Sequence, residues 1–510
     1  MRTVLITLAM LVAAAPAGAA WREARSAHFI IYSEDKADNL RAFATELERF
    51  DAAMRLVRGL PATTDSPHNR LTVFQVSNIA AVQKLYGRRA ESIAGFYNGR
   101  AGGSVAFVPR RTGASSRADL SAETVLMHEY AHHFMFRNYP AAFPLWFSEG
   151  YAEFNSTARF VADGSVDLGM PAQHRALGLV YLAQLPIETM LSSDLSKLSA
   201  VGGEAFYGRG WLLTHYLSFA RERDGQLGKY LAAINKGTSS LDAARDVFGD
   251  LAKLDRELDR YVRSKMSYMR VPGHKIGIAP VEVVELSAGA NAMMPIHMRS
   301  RRGVTDDEAK KLVVQARELA APYPADPFAQ LALAEAEIDA GNLAEADAAA
   351  ERVLAADPAS VRAMLYKGRV AMKRLEDSKS DDAEGWKVAR RWFVRANRTE
   401  PNAPEPLILF YSSFQAEGVQ PTPNAVAGLE TAAALAPEDD MLRLTLAYQY
   451  LVEKKLPEAR AALGPAAFNP HGGPFAQAAA RVIDAIDKGG AEAALKAWDA
   501  KPQTAETAAN

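Results

Sequence analysis

The sequence predicts an α+β unit followed by an all-α region of repeated helix pairs, and three observations predict it. Residues 27–120 mix strand-like and helix-like stretches, and residues 121–270 turn helical. Beyond residue 306 an Ala- and Leu-rich texture recurs between prolines. The 510 residues are too many for one ordinary domain. Hydrophobic residues make up 49% and charged residues 23%, values at which a core can form.

The first 20 residues read as a secretory signal. Arg2 gives a positive start, residues 4–12 a short apolar run, and Ala17-Gly18-Ala19 a small-x-small cleavage pattern. The mature chain is expected to begin near Ala20 or Trp21, exported across an inner membrane. The Ala-rich, Cys-free style points to a bacterial periplasm. The run is short for a membrane span, which needs about 20 residues.

In the 21–120 part, His28-Phe29-Ile30-Ile31-Tyr32 is strand-like and Leu40, Phe43, Leu47, Phe50, Met54 and Val57 follow helical spacing. Residues 71–76 give a second strand. Residues 96–108 read as a hairpin, with turn residues at Asn98-Gly99 and Gly102-Gly103. Ser121 is a good N-cap for a helix that stops near Asn138 and Pro140. A second helix is expected from about Pro144, a third from about Glu204, and more helix to about Met269. Residues 271–305 contain Pro, Gly and Met, are poorly periodic, and read as a connector, with one strand at residues 281–286.

In the 306–500 part, the prolines at 327, 358, 401, 437 and 470 are spaced by 31, 43, 36 and 33 residues. Each separates two helical runs. A helix-turn-helix unit of about 34 residues has the tetratricopeptide period. The region resembles degenerate tetratricopeptide repeats over about residues 308–500, with residues 376–384 as a polar loop insert. Such units stack because one helix pair cannot bury its own apolar face, and an array of this kind implies a protein partner. Residues 501–510 read as a disordered tail.

The formal net charge is -1, from 59 basic and 60 acidic residues, which gives no support for nucleic acid or anionic membrane as a partner. The chain has no cysteine, so disulfides, thiolate metal sites and a Cys nucleophile are excluded. A transition metal would have to sit on imidazole and carboxylate, a set that suits zinc.

The decisive segment is Met127-His128-Glu129-Tyr130-Ala131-His132, an H-E-x-x-H pattern within an expected helix. Residues four apart share a helix face, so both imidazoles can reach one ion. Glu129 lies beside that ion, placed to take a proton from water. A catalytic zinc takes three protein ligands and keeps one position open. The next helix offers Glu149 and Glu153, two carboxylates in an otherwise apolar run. Buried acids are costly unless paired or ligated.

These segments carry a resemblance. His128 to His132, followed after 16 residues by Glu149 in Leu145-Trp146-Phe147-Ser148-Glu149-Gly150-Tyr151-Ala152, resembles the gluzincin metallopeptidases. The closest likeness is to the aminopeptidase N branch and the peptidase-MA-like group. The resemblance implies a zincin-like catalytic domain holding one Zn2+ per chain on His128, His132 and Glu149. Glu129 would be the general base, and Glu153 the acid that orients a metal-bound histidine. Phe206-Tyr207-Gly208-Arg209-Gly210 resembles the segment whose tyrosine donates to the oxyanion, which implies that role for Tyr207, with Arg209 a further carboxylate or oxyanion contact. No match to the exopeptidase G-x-M-E-N loop is present, which leaves endopeptidase action open. The implied activity is hydrolysis of a peptide or protein substrate. The alternative is a tetratricopeptide adaptor whose metal-bound domain does not turn over.

Glycines 208 and 210 each cost about 1 kcal/mol against Ala within a helix, so close approach of another element is expected there. Residues 104–108 are a candidate edge strand for pairing with an extended substrate. His133 points to another helix face and reads as structural. His28, His68, His174, His215, His274, His297 and His471 lack ligand-like spacing.

Overall fold

The computed structural model describes residues 20–87, 93–112, 120–181, 185–192, 198–469 and 473–499. The expected signal segment short of Ala20, the break at Pro470, His471 and the 501–510 tail lie outside the described residues.

Strands β1 (Arg22–Arg25) and β2 (Phe29–Ser33) lead into α1 (Ala37–Val57), whose Leu40, Leu47, Phe50 and Met54 are buried along one face. Then come β3 (Leu71–Val76), α2 (Ile79–Tyr86), β4 (Phe96–Asn98) and β5 (Val105–Pro109). The helical stretch follows as α3 (Ala122–Asn138) and α4 (Leu145–Ser156). Next are β6 (Arg159–Phe160), β7 (Val166–Leu168), α5 (Ile187–Ser192) and α6 (Ala200–Phe219). The part closes with α7 (Gln226–Asn235), α8 (Ser240–Phe248), α9 (Leu251–Tyr261), β8 (Met269–Val271) and β9 (Glu282–Glu285).

The main sheet has the order β4-β5-β3-β2-β1-β9. β2, β3 and β5 run parallel, while β4, β1 and β9 pair antiparallel with their neighbours. β6, β7 and β8 form a second, antiparallel sheet that local patterning does not suggest. The largest buried cluster lies between α1, the sheet and helices α3, α4 and α6.

Two expectations are corrected. Residues 104–108 are no edge: β5 is paired on one side with β3 and on the other with β4, so its ladder groups are occupied and β4 takes the edge. The stretch 271–305 is no loose connector. It supplies β9 and then α10 (Ala288–Arg302), whose buried positions mix Gly289, Ser300 and Arg301 with Met293, Met294 and Ile296, so the apolar periodicity is weak.

From α10 onward the chain is helical: α11 (Asp306–Ala320), α12 (Pro327–Asp339), α13 (Leu343–Ala356), α14 (Val361–Asp377), α15 (Ala383–Thr399) and α16 (Pro404–Glu417). It continues through α17 (Pro423–Leu435), α18 (Asp440–Val452), α19 (Leu456–Ala467) and α20 (Gly473–Asp499), the last broken at Gly490. Successive helices pack as pairs, a helical-repeat architecture. The 376–384 insert is shorter than expected as a loop, because α14 runs on to Asp377 and α15 begins at Ala383. No helix among the described residues is long and apolar enough to cross a membrane.

The array folds back over the β4–β5 turn. Arg301 of α10 donates to the carbonyls of Gly102 (2.8 Å) and Gly103 (2.9 Å), and Arg362 of α14 donates to Gly102 (3.3 Å). At the start of α18, Asp439 accepts from the Ala101 N–H at 2.8 Å, and Glu438 accepts from Ser104 at 3.3 Å. Glu438 also accepts from Arg137 of α3 at 3.2 Å. One helix pair after another thus grips the turn that supports β5 and α3.

Candidate metal centre

Helix α3 starts where Ser121 Oγ accepts from the Thr124 N–H at 3.1 Å. Its 3.6-residue turn sets His128 and His132 one above the other, with their Nε2 atoms 3.2 Å apart. Helix α4 packs against α3 and brings Glu149 Oε2 to 3.3 Å from His128 Nε2 and 3.4 Å from His132 Nε2. Both His132 and Glu149 are fully buried.

These three atoms are the corners of a nearly equilateral triangle. For zinc bonds of about 2.0–2.1 Å, neighbouring ligands of a tetrahedral ion lie about 3.3–3.4 Å apart. The observed edges of 3.2, 3.3 and 3.4 Å match that spacing. Two imidazoles and a carboxylate are also a donor set that zinc accepts.

Glu153, one turn beyond Glu149, holds His128 from behind. Its Oε1 lies 3.2 Å from His128 Nδ1. A proton on Nδ1 leaves the Nε2 lone pair facing the triangle. Glu153 is in turn held by His174 Nε2 at 2.9 Å and by Arg175, at 3.1 Å from Nε and 2.7 Å from Nη2. Burial opposes charge on Glu153, but Arg175, His128 and His174 hold its pKa well below the usual carboxylate range. Burial likewise opposes charge on His128, yet Glu149 and Glu153 lift its pKa to about 10, and a metal ion on Nε2 would have to displace the proton held there. His132 is pushed down by burial.

Glycines set the position of the third helix. A methyl on Gly150 would lie 2.4 Å from the Gly210 carbonyl oxygen, so α4 and α6 touch backbone to backbone. Tyr207, three residues before Gly210, then faces the histidines, its ring 6.2 Å from that of His128 and 4.9 Å below the Arg175 guanidinium. The Glu149 charge and burial push the Tyr207 pKa up, so its hydroxyl stays a donor. His128, Glu129, Arg175, Glu204 and Tyr207 line a cleft of about 520 Å³.

The structure therefore brings His128, His132 and Glu149 together, with Glu153 behind them and Glu129 and Tyr207 in the cleft. Arg209 is a correction: it is buried away from the cleft, 2.9 Å from Asp259 and paired with Asp255, both on α9. His133 bonds Tyr97 at 2.9 Å. His174 and Arg175 escape a reading of the sequence because they sit on a short turn without periodic pattern.

No family model matches the chain, and no curated protein matches it. Among solved structures, a thermophilic tetratricopeptide protein of Thermus thermophilus is similar at 18% identity and a TM-score of 0.32. The match covers 37% of this chain and 97% of that one. The gluzincin assignment and the zincin-like description are therefore withdrawn. The likeness is confined to the short segments around His128, Glu149 and Tyr207, and neither comparison with families or curated proteins extends it.

Proposed function

We propose that this chain is a zinc-dependent hydrolase of peptide bonds, with its helix-pair array serving protein interaction. The observation that carries this reading is the triangle of His128, His132 and Glu149 donor atoms, with edges of 3.2–3.4 Å.

When bound, zinc would supply Lewis acidity and a water whose pKa falls to about 7. The chain's own residues do the rest in this reading. Glu153, clamped by Arg175 and His174, keeps the His128 ring from rotating. Glu129 is half-buried in the cleft, accepts the proton of the attacking water and returns it to the leaving amine. Tyr207 donates its hydroxyl hydrogen bond to the oxyanion. Export to a periplasm belongs to the same proposal, on the strength of residues 1–20, and cell fractionation tests it.

A second reading is an adaptor that retains the metal without turnover. The extent of the array, from Ala288 to Asp499, favours it. Metal analysis and peptide-library cleavage by the wild type and Glu129→Gln separate the two. One zinc per chain with cleavage lost in Glu129→Gln supports the hydrolase. Zinc with no cleavage of any library supports the adaptor.

A further inference from the structure

A cavity of about 520 Å³ lies between the main sheet and the inner side of the array, away from the metal centre. Its floor is the Gly102-Gly103 turn, and its walls carry Arg25, Arg70, Arg301 and Arg362 against the carboxylates of Glu23 and Glu335. Phe328, Leu331 and the Tyr366 ring add an apolar side.

Some of these cations are accounted for. Arg25 pairs with Glu23, and Arg362 with Glu405 at 2.7 Å. Arg301, 8% exposed, donates to two carbonyl oxygens and has Glu335 no nearer than 3.8 Å. Arg70 has no hydrogen-bond or ion-pair partner among the described residues, and its Nε is shut off from solvent. Arg100, just behind the turn, donates to the carbonyls of Gly103 and Arg301. Burial, with Arg301 and Arg362 close by, drives the Arg100 pKa down to about 9. Arg70 is half-buried with no carboxylate beside it, so an anion that joined it would relieve the cost of holding that guanidinium partly out of water.

We propose that this cavity binds a small, multiply charged organic oxyanion, a carboxylate or phosphate compound whose charged groups meet Arg70, Arg301 and Arg362 and whose carbon skeleton lies on Phe328 and Leu331. Guanidinium forks suit both oxyanions, which they bind through paired N–H donors. The array thus closes over a ligand as well as over the turn, and the site stands independently of the hydrolase reading.

The test uses the full chain without added metal, with succinate and inorganic phosphate as probes and chloride at matched ionic strength as the control. Binding to the folded state at 100 times Kd should raise Tm by about 5 °C or more. Arg70→Gln should keep the wild-type Tm in chloride and bind at least about tenfold more weakly, the loss of one charge-assisted contact. Arg70→Met keeps the packing stem and should lose binding equally. A response to succinate alone marks a carboxylate ligand, and one to phosphate alone a phosphate ligand. No shift beyond chloride with either probe overturns the proposal. So does undiminished binding by both Arg70 variants.

Discussion

Replacing Gly150 with alanine should drive α4 and α6 apart. The new methyl would lie 2.4 Å from the Gly210 oxygen, 2.5 Å from Thr214 Oγ1 and 2.7 Å from the Gly210 carbonyl carbon. Non-bonded carbons settle at about 3.5–4.0 Å, so the α4 and α6 backbones would have to separate by roughly 1 Å. Overpacking of this kind costs about 1–3 kcal/mol, offset by the helix preference for Ala of about 1 kcal/mol. Because backbone atoms cannot rotate aside, the upper end applies, and the net loss is about 2 kcal/mol. In a unit of about 150–250 residues that lowers Tm by about 4–8 °C. The neighbouring Glu149 would move with α4. A shift of that size exceeds the roughly 0.2 Å tolerance of a metal–ligand distance, so zinc affinity should fall too. Gly203→Ala is the control. It adds a methyl to α6 with nothing within 4 Å and should stabilise by up to about 1 kcal/mol. Thermal melts with and without zinc measure both. A Gly150→Ala protein that melts no lower than wild type and binds zinc as tightly would refute the idea that this helix contact sets Glu149.

Three further outcomes follow from the same geometry. Glu153→Gln should weaken zinc binding by about 10–100-fold, read by competition with a chelator, because the His128 ring loses its charged anchor. Glu129→Gln should leave zinc content unchanged and lower kcat by about 10²–10⁴-fold, the usual worth of a general base. His215 is buried and bonded to the carbonyls of Gly169 and Ser267, both at 3.1 Å, and burial lowers its pKa to about 4. Its folded pKa lies below the unfolded value, so its stability is fully present above about pH 6.5 and is lost toward pH 4. That loss amounts to about 3 kcal/mol. Melts from pH 7 to 4 should show a shallower acid loss in His215→Gln than in wild type, and parallel curves would contradict this.

The metal triangle is legible in the sequence because it rests on local rules. Four-residue spacing brings His128 and His132 to one face, and an acid in an apolar helix such as Glu149 needs a partner. The anchoring of Glu153 by His174 and Arg175 is not legible, since a short turn leaves no periodic mark. Strand order in a sheet is a long-range property, so local patterning alone puts β5 at an edge that β4 in fact occupies. Helix α10 is hidden because Pro295 reads as a helix breaker and because Gly289, Ser300 and Arg301 share its buried positions with apolar residues, yet the array packs it into place. The grip of Arg301, Arg362 and Asp439 on the β4–β5 turn joins residues roughly 200 to 340 positions apart, beyond any local pattern. The family likeness fails for a related reason: a few matching residues around a site do not specify the chain around them.

Zinc stoichiometry by elemental analysis bears most directly on the whole account. Wild-type protein should carry one zinc per chain, and His132→Ala and Glu149→Ala should each lose it while their far-ultraviolet circular dichroism stays unchanged. A folded wild type that takes up no zinc, or variants that keep it in full, would contradict the account.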